Sequence, residues 1–174
     1  MKVIEAIKKR QSIRSFSDKE ISKKIIRELL EAARLSPSSK NTQPWKFKII
    51  QDQKTRKALK DQEVFRQNFV YTAPLILICC ADLSVYKKKR SKYYRRKVKE
   101  WAPIDITIAT HSLVLRATEL GLGTCYIGLM QEKKLKKILN IPKNYLIPYI
   151  LTIGYPRGKQ IHQKRKPLKE MILK

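Results

Sequence analysis

Arg10, Ser12 and Arg14 place two guanidiniums and a hydroxyl within five residues, directly after a segment patterned as a helix. Arginine presents a planar fork of donors and serine adds another, so this spacing suits a phosphate; an exposed basic loop is the plainer alternative. A second cluster runs Ser36-Pro37-Ser38-Ser39-Lys40-Asn41-Thr42-Gln43-Pro44-Trp45. Its hydroxyls and amides, held between two prolines, suit a polar heterocycle or form a simple helix-to-strand connection. A third, Gly121-Leu122-Gly123-Thr124-Cys125-Tyr126-Ile127-Gly128, is weak as a dinucleotide fingerprint, because the glycines follow a helical pattern and no helix opens after them. It fits better as backbone whose bare N–H groups approach a flat ligand. The fourth, Lys164-Arg165-Lys166-Pro167-Leu168, is a basic tract that is either solvated or completes a phosphate site.

The elements that must position these groups follow from periodicity. Residues 2–9 read as a short helix, and Ser22 caps a second with the stripe Ile25, Ile26, Leu29, Leu30, Ala33, ending before Pro37. Trp45 to Ile50 alternates as a strand, Gln53 to Lys60 reads as an exposed helix, and Leu75 to Ala81 as a central strand covered on both faces. Pro103 suits the first turn of a long helix carrying Ile104, Ile108, Leu113, Leu115, Ala117 and Leu120, which Gly121 and Gly123 stop. A strand from Thr124, a helix over Gln131 to Leu139 and a strand from Tyr149 to Ile153 complete an α+β order.

Composition narrows the class. With 174 residues and 43% apolar content the chain can build one hydrophobic core. Its longest apolar runs, such as Ala73 to Ala81, fall far short of the roughly 20 residues of a membrane-spanning helix, and Met1 to Glu5 lacks a signal-peptide core. A cytoplasmic protein without membrane partners is expected. Cys79, Cys80 and Cys125 show no metal-ligand spacing and read as buried small hydrophobes in a reducing compartment. The formal net charge of +26 attracts polyanions, although lysines spread along a chain also serve solubility alone. His111 lies within the long helix and His162 in the polar tail, neither in a catalytic triad.

Taken together, the four segments resemble the nitroreductase family of FMN-dependent oxidoreductases. Arg10 to Arg14 is similar to its opening Arg-x-Ser-x-Arg, and Ser36 to Trp45 to its Pro-Ser-x-x-Asn-x-Gln-Pro-Trp stretch. Leu120 to Gly128 and Gly154-Tyr155-Pro156 with Lys164 to Leu168 resemble its later elements, so the likeness runs from residue 1 to about 170. It implies a single FMN-binding domain over residues 1–174, with a mostly antiparallel sheet flanked by helices, in an intertwined homodimer. By position, Arg10, Gln11, Ser12, Arg14, Lys164 and Arg165 would hold the phosphate and ribityl end of FMN. Pro37, Ser38, Ser39 and Asn41 would reach the ring from the partner chain, and Cys125, Ile127 and Gly128 would lie near N5. The family's frequent Asp near the start of the long helix corresponds to Asp105, for which a helix N-terminal charge interaction is an equal account.

The implied function is ping-pong electron transfer from NADH or NADPH, through FMN, to a nitroaromatic, quinone or similar electron-poor small molecule. No catalytic side chain or metal is then needed, because flavin N5 carries the hydride. Alternatives are a flavin protein of the same fold acting in flavin or F420 metabolism, and a basic nucleic-acid-binding protein. Residues 84–101 stand apart as a lid-like insertion, with nine basic residues and no acid between Tyr86 and Lys99. They form a solvated face, a cationic lid for an anionic substrate, or a nucleic-acid surface with Tyr86, Tyr93 and Tyr94 stacking. Residues 155–174 form a C-terminal tail.

Overall fold

The computed structural model describes residues 1–87, 92–158, 160 and 162–173. Its helices are α1 (Val3–Lys9), α2 (Lys23–Arg34), α3 (Gln53–Asp61), α4 (Phe69–Thr72), α5 (Ser84–Lys87), α6 (Lys92–Glu119) and α7 (Glu132–Leu139). Strands β1 (Trp45–Ile50), β2 (Leu75–Asp82), β3 (Gly123–Ile127) and β4 (Tyr145–Gly154) form one antiparallel sheet in the order β1-β2-β4-β3. The α+β arrangement expected from the sequence is the one observed.

β2 explains the layering. Its side chains alternate between two apolar layers, Leu75, Leu77, Cys79 and Ala81 on one face and Ile76, Ile78 and Cys80 on the other. The first face is covered by α2 and α6 through Ile26, Leu29, Ile106, Leu113 and Ala117, the second by α3 and α7 through Leu59, Leu135 and Leu139. The Ser22 hydroxyl accepts from the Ile25 N–H at the start of α2, and the Asp52 carboxylate accepts from the Thr55 N–H at the start of α3. Across the first face, the Arg116 guanidinium ties α6 to Glu28 of α2.

Two elements run longer than their sequence suggests. α6 begins at Lys92 and carries Pro103 in its interior rather than in its first turn. An apolar stripe of Val98, Ala102, Ile106, Ala109, Leu113 and Ala117 continues through the proline at helical spacing, so burial offsets the lost N–H. Ile104 and Ile108, named among the apolar residues of this helix, face outward and are 54% and 39% exposed. β4 begins at Tyr145, ahead of Pro148. The β2–β4 register slips between Cys79 and Ala81, opposite that proline, and β3 pairs no further than Ile150, so the missing N–H falls where no ladder needs it.

The expected lid-like stretch 84–101 is helical where it is described, as α5 and the first turns of α6; residues 88–91 lie outside the described residues, as do the side chains of Tyr93 and Tyr94. Tyr86 is fully buried and is therefore no stacking platform.

Residues 10–17 form the seam between the helices and the sheet. Ser12 bridges in parallel to Thr124 of β3, the Ile13 N–H donates to the Thr124 carbonyl at 2.9 Å, and the Ser17 N–H donates to the Tyr155 carbonyl at 2.8 Å. Gly123 permits this approach: a Cβ there would lie 2.4 to 2.9 Å from three Ile13 side-chain atoms. Gly121, at φ +76°, turns the chain out of α6. Two of the glycines expected to expose backbone to a flat ligand thus serve packing and helix termination. Gly123→Ala is expected to lower stability by about 1–3 kcal/mol through overpacking. Gly128→Ala, whose Cβ would meet only the Pro148 carbonyl oxygen at 3.9 Å, should stay within about 0.5 kcal/mol. Urea denaturation of the two variants separates them.

Candidate functional site

The end of α1 and the seam that follows it open onto a cleft of about 440 Å³. Arg10, Gln11, Ser12 and Arg14 line it from below, and the C-terminal tail closes the other wall with His162, Gln163 and Arg165. The structure therefore brings the first and fourth sequence clusters together across some 150 residues of chain. Ile7 and Lys8 complete the wall; they and Gln163 were not singled out from the sequence, although Lys8 stands two residues before Arg10, and His162, read there only as a tail residue, joins them in the cleft. Lys164 is not among the lining residues.

Electrostatically the cleft is one-sided. Lys8, Arg10, Arg14 and Arg165 contribute four cations, His162 an imidazole, and among the described residues no carboxylate lines the wall. The Cys125 thiol, on β3, is pushed up in pKa by burial, while Arg14, the Ser12 hydroxyl and Arg10 pull it back down. The Ser12–Thr124 bridge sets Cys125, the next residue, beside the Arg10–Arg14 segment. The other two cysteines are buried on β2, with the Cys80 thiol pushed up to about 12, mainly by desolvation. Tyr126 and Tyr149 pack edge to face at 5.0 Å on the α6 side of the sheet. Ile127 ends β3 beyond Cys125, and Gly128 follows it.

The Pro37–Asn41 cluster is held elsewhere. None of Pro37, Ser38, Ser39 and Asn41 lines the cleft. Ser39 to Asn41 form a 3-10 turn with Lys40 in a left-handed conformation, closed by the Ser38 hydroxyl accepting from the Gln43 N–H at 2.9 Å. The anchor of this turn is Asp105. Its carboxylate, 4% exposed, accepts from the Ser39 N–H at 3.0 Å and from the Tyr86 hydroxyl at 2.7 Å. Because α6 starts at Lys92, Asp105 sits in the middle of a helix, and the helix N-terminal account of it is corrected: it is a buried strut joining the turn, α5 and α6. His111 lies six residues further along, where partial burial and then the Arg10 charge lower its pKa.

Comparison with known proteins gives the class. The family description Nitroreductase family matches residues 7–155, and the chain belongs to that family. A relative from Archaeoglobus fulgidus, which carries the provisional name NADH dehydrogenase/NAD(P)H nitroreductase, is 33% identical over 155 residues, 87% of this chain and 83% of its own. A Bacillus subtilis protein named FMN reductase [NAD(P)H] is 28% identical, with 95% of this chain and 70% of its own covered. The crystal structure of a nitroreductase family protein from Streptococcus pneumoniae superposes with a TM-score of 0.86 at 26% identity, covering 99% of this chain and all of the other. Among the described residues no helix is long and apolar enough to cross a membrane, and no cluster of His, Cys, Asp or Glu could hold a metal ion.

Two outcomes follow from the buried network and the charged cleft. Asp105→Asn removes the charge that both bonds rely on and puts an amide N–H group where an acceptor oxygen stood, and should cost about 1–3 kcal/mol in thermal or urea unfolding. The His111 imidazole, followed by NMR, should titrate below its ordinary value of 6.5, and Arg10→Ala should move it upward. Because the unfolded chain takes up that proton more readily, His111 should cost the folded state stability as pH falls below about 6.5.

Proposed function

We propose that the cleft holds FMN and that the protein is an oxidoreductase passing electrons from NADH or NADPH to an electron-poor small molecule. The observation that carries this reading is the donor set: three guanidiniums, an ammonium and the Ser12 hydroxyl around one cleft without a carboxylate. A phosphomonoester carries about −1.5 to −2 charge at neutral pH, and arginine forks bind its oxygens in pairs. The cleft volume falls within the roughly 300–1,000 Å³ common for small-ligand sites. The names of the Bacillus subtilis and Archaeoglobus fulgidus relatives, which cite FMN and NAD(P)H, support the same assignment.

Bound there, FMN would supply the redox chemistry, so the chain needs no catalytic acid, base or metal of its own. Arg10, Arg14 and Arg165 would fix the phosphate, Gln11 and Ser12 the polar chain next to it, and Lys164 would reinforce the field from outside. Cys125 would wall the site beneath. The Ile127 N–H faces β4 in the ladder, so the Gly128 N–H, just past the end of β3, would donate toward the reacting end of the ring, where a fixed donor stabilises negative charge.

The ring would be completed by a second copy. α1 packs on α6, and the two helices leave Val3, Ile4, Ile7, Ile104 and Ile108 exposed. Pairing two copies over such a surface removes apolar area from water. It would also bring the partner's Pro37–Asn41 turn to the cleft, presented rigidly because Asp105 holds it. Residues 1–174 then act as one FMN-binding domain whose tail, 155–174, lays Arg165 over the phosphate. The free, buried cysteines suit a reducing cytoplasm.

Arg10→Ala/Arg165→Ala is the direct test, read by flavin fluorescence. The double variant should bind FMN at least about 100-fold more weakly, since each charge-assisted contact is worth about 1.5–3 kcal/mol. Its affinity for riboflavin, which lacks the phosphate, should hardly change. FMN binding within threefold of the parent would place the phosphate elsewhere.

A further inference from the structure

We infer that the face formed by α3 and α7 is a docking surface for double-helical DNA, engaged through its phosphates and separate from the cofactor cleft. The two helices lie side by side on the sheet face opposite α2 and α6. Leu59 and Leu135 share one apolar layer, the Gln131 N–H donates to the Val64 carbonyl at 2.9 Å, and the Lys134 ammonium donates to the Gln62 carbonyl at 3.1 Å. Between them α3 and α7 carry eight cationic side chains and two carboxylates. Both carboxylates are already engaged within their own helices, Asp61 by Lys57 at 2.6 Å and Glu132 by Lys136 at 2.7 Å. The N-cap of α3 adds Asp52 and the exposed turn after it Glu63 and Arg66, two carboxylates against one guanidinium, which leaves the face strongly positive. What remains is a cluster of exposed lysines, among them Lys54, Lys60, Lys133 and Lys137, facing away from the apolar surface of α1 and α6.

The chemistry of the face selects its partner. Lys133 and Lys137 stand about one helical turn, roughly 5.4 Å, apart along α7. Duplex DNA carries a charge for about every 3.4 Å of each strand, so neighbouring lysines can each neutralise a phosphate and release its counterion. Neither helix contains an aromatic residue, and Tyr71, which shares a groove with Arg56, Lys57 and Lys60, has its ring packed on Phe65 and its hydroxyl bonded to the Phe65 carbonyl, so the face has no free platform on which the bases of a single strand could stack. None of the exposed large hydrophobic side chains lies on α3 or α7, so the face has nothing to insert into a lipid surface. A rigid polyanion contacted at its backbone remains. The overall charge of +26 would steer the encounter.

The test compares two variants of equal charge by fluorescence anisotropy with a labelled random-sequence DNA duplex over a salt series. K54Q/K60Q/K133Q/K137Q should bind at least about tenfold more weakly at 100 mM salt, and the slope of log K against log salt should flatten by about 3–4. K24Q/R27Q/R96Q/K99Q, with the same charge loss on α2 and α6 across the sheet, should stay within about threefold, as should Arg10→Ala/Arg165→Ala. Circular dichroism confirms folding; should the first quadruple variant unfold, K133Q/K137Q carries the test with about half the slope change. Equal weakening in both quadruple variants would show that net charge alone acts and would overturn the proposal. So would salt-dependent binding to phosphatidylglycerol vesicles or to a single strand that equals or exceeds binding to the duplex.

Discussion

The close approach of residues 10–14 to β3 governs everything else in the molecule. Gly123 has no side chain, so Ile13 can sit on it, and the Ile13 N–H reaches the Thr124 carbonyl at 2.9 Å. This one seam fixes the side-chain directions of Arg10, Ser12 and Arg14, sets Cys125 beneath them, and ends with the Ser17 N–H bonded to the chain leaving β4. A neutral packing contact thereby orients a cluster of like charges that would otherwise repel one another. Concentrating four cations without a carboxylate is unfavourable by itself, which is why such a cleft reads as a site poised for an anion.

A second constraint acts at a distance. Asp105 is a carboxylate buried inside a helix, and it is tolerable there because two donors from different parts of the chain meet it. The Ser39 N–H and the Tyr86 hydroxyl make α6 the common anchor of the Pro37–Asn41 turn and of α5. The turn is thus rigid before any second copy meets it, and a pre-ordered loop loses less entropy on assembly than a free one. Strain at Lys40, Asn41 and Gln43, all with positive φ, is held in place by these bonds.

Much of this was legible in the sequence where local chemistry decides. Ser22 as a helix cap, the unbroken apolar run of β2 and the Arg-x-Ser-x-Arg spacing each carry their own physical signal. Other features depend on tertiary context. The stripe from Val98 to Ala117 was present in the sequence, yet the basic composition before Pro103 and the proline itself argued for a helix starting later. Pro148 argued the same way against a longer β4, and the register slip that admits it is set by β2. Asp105 and Tyr86 are far apart in the chain and only the fold shows that they meet. Lys8, His162 and Gln163 join the cleft because the tail folds over α1, which no spacing rule reports. The four linear motifs that support the nitroreductase likeness needed no such information, and membership of the family stands on 149 matched residues, 7–155.

The central claim is that the cationic cleft exists to hold a redox-active flavin phosphate that nicotinamide nucleotides reduce. The most direct measurement is the visible absorption spectrum of the purified protein supplemented with FMN and freed of excess, before and after anaerobic NADH or NADPH. The account predicts retained bands near about 370 and 450 nm that bleach with either nucleotide, because the bound cofactor carries the electrons. A protein that retains no flavin, or whose bands persist unchanged with both nucleotides, would contradict it.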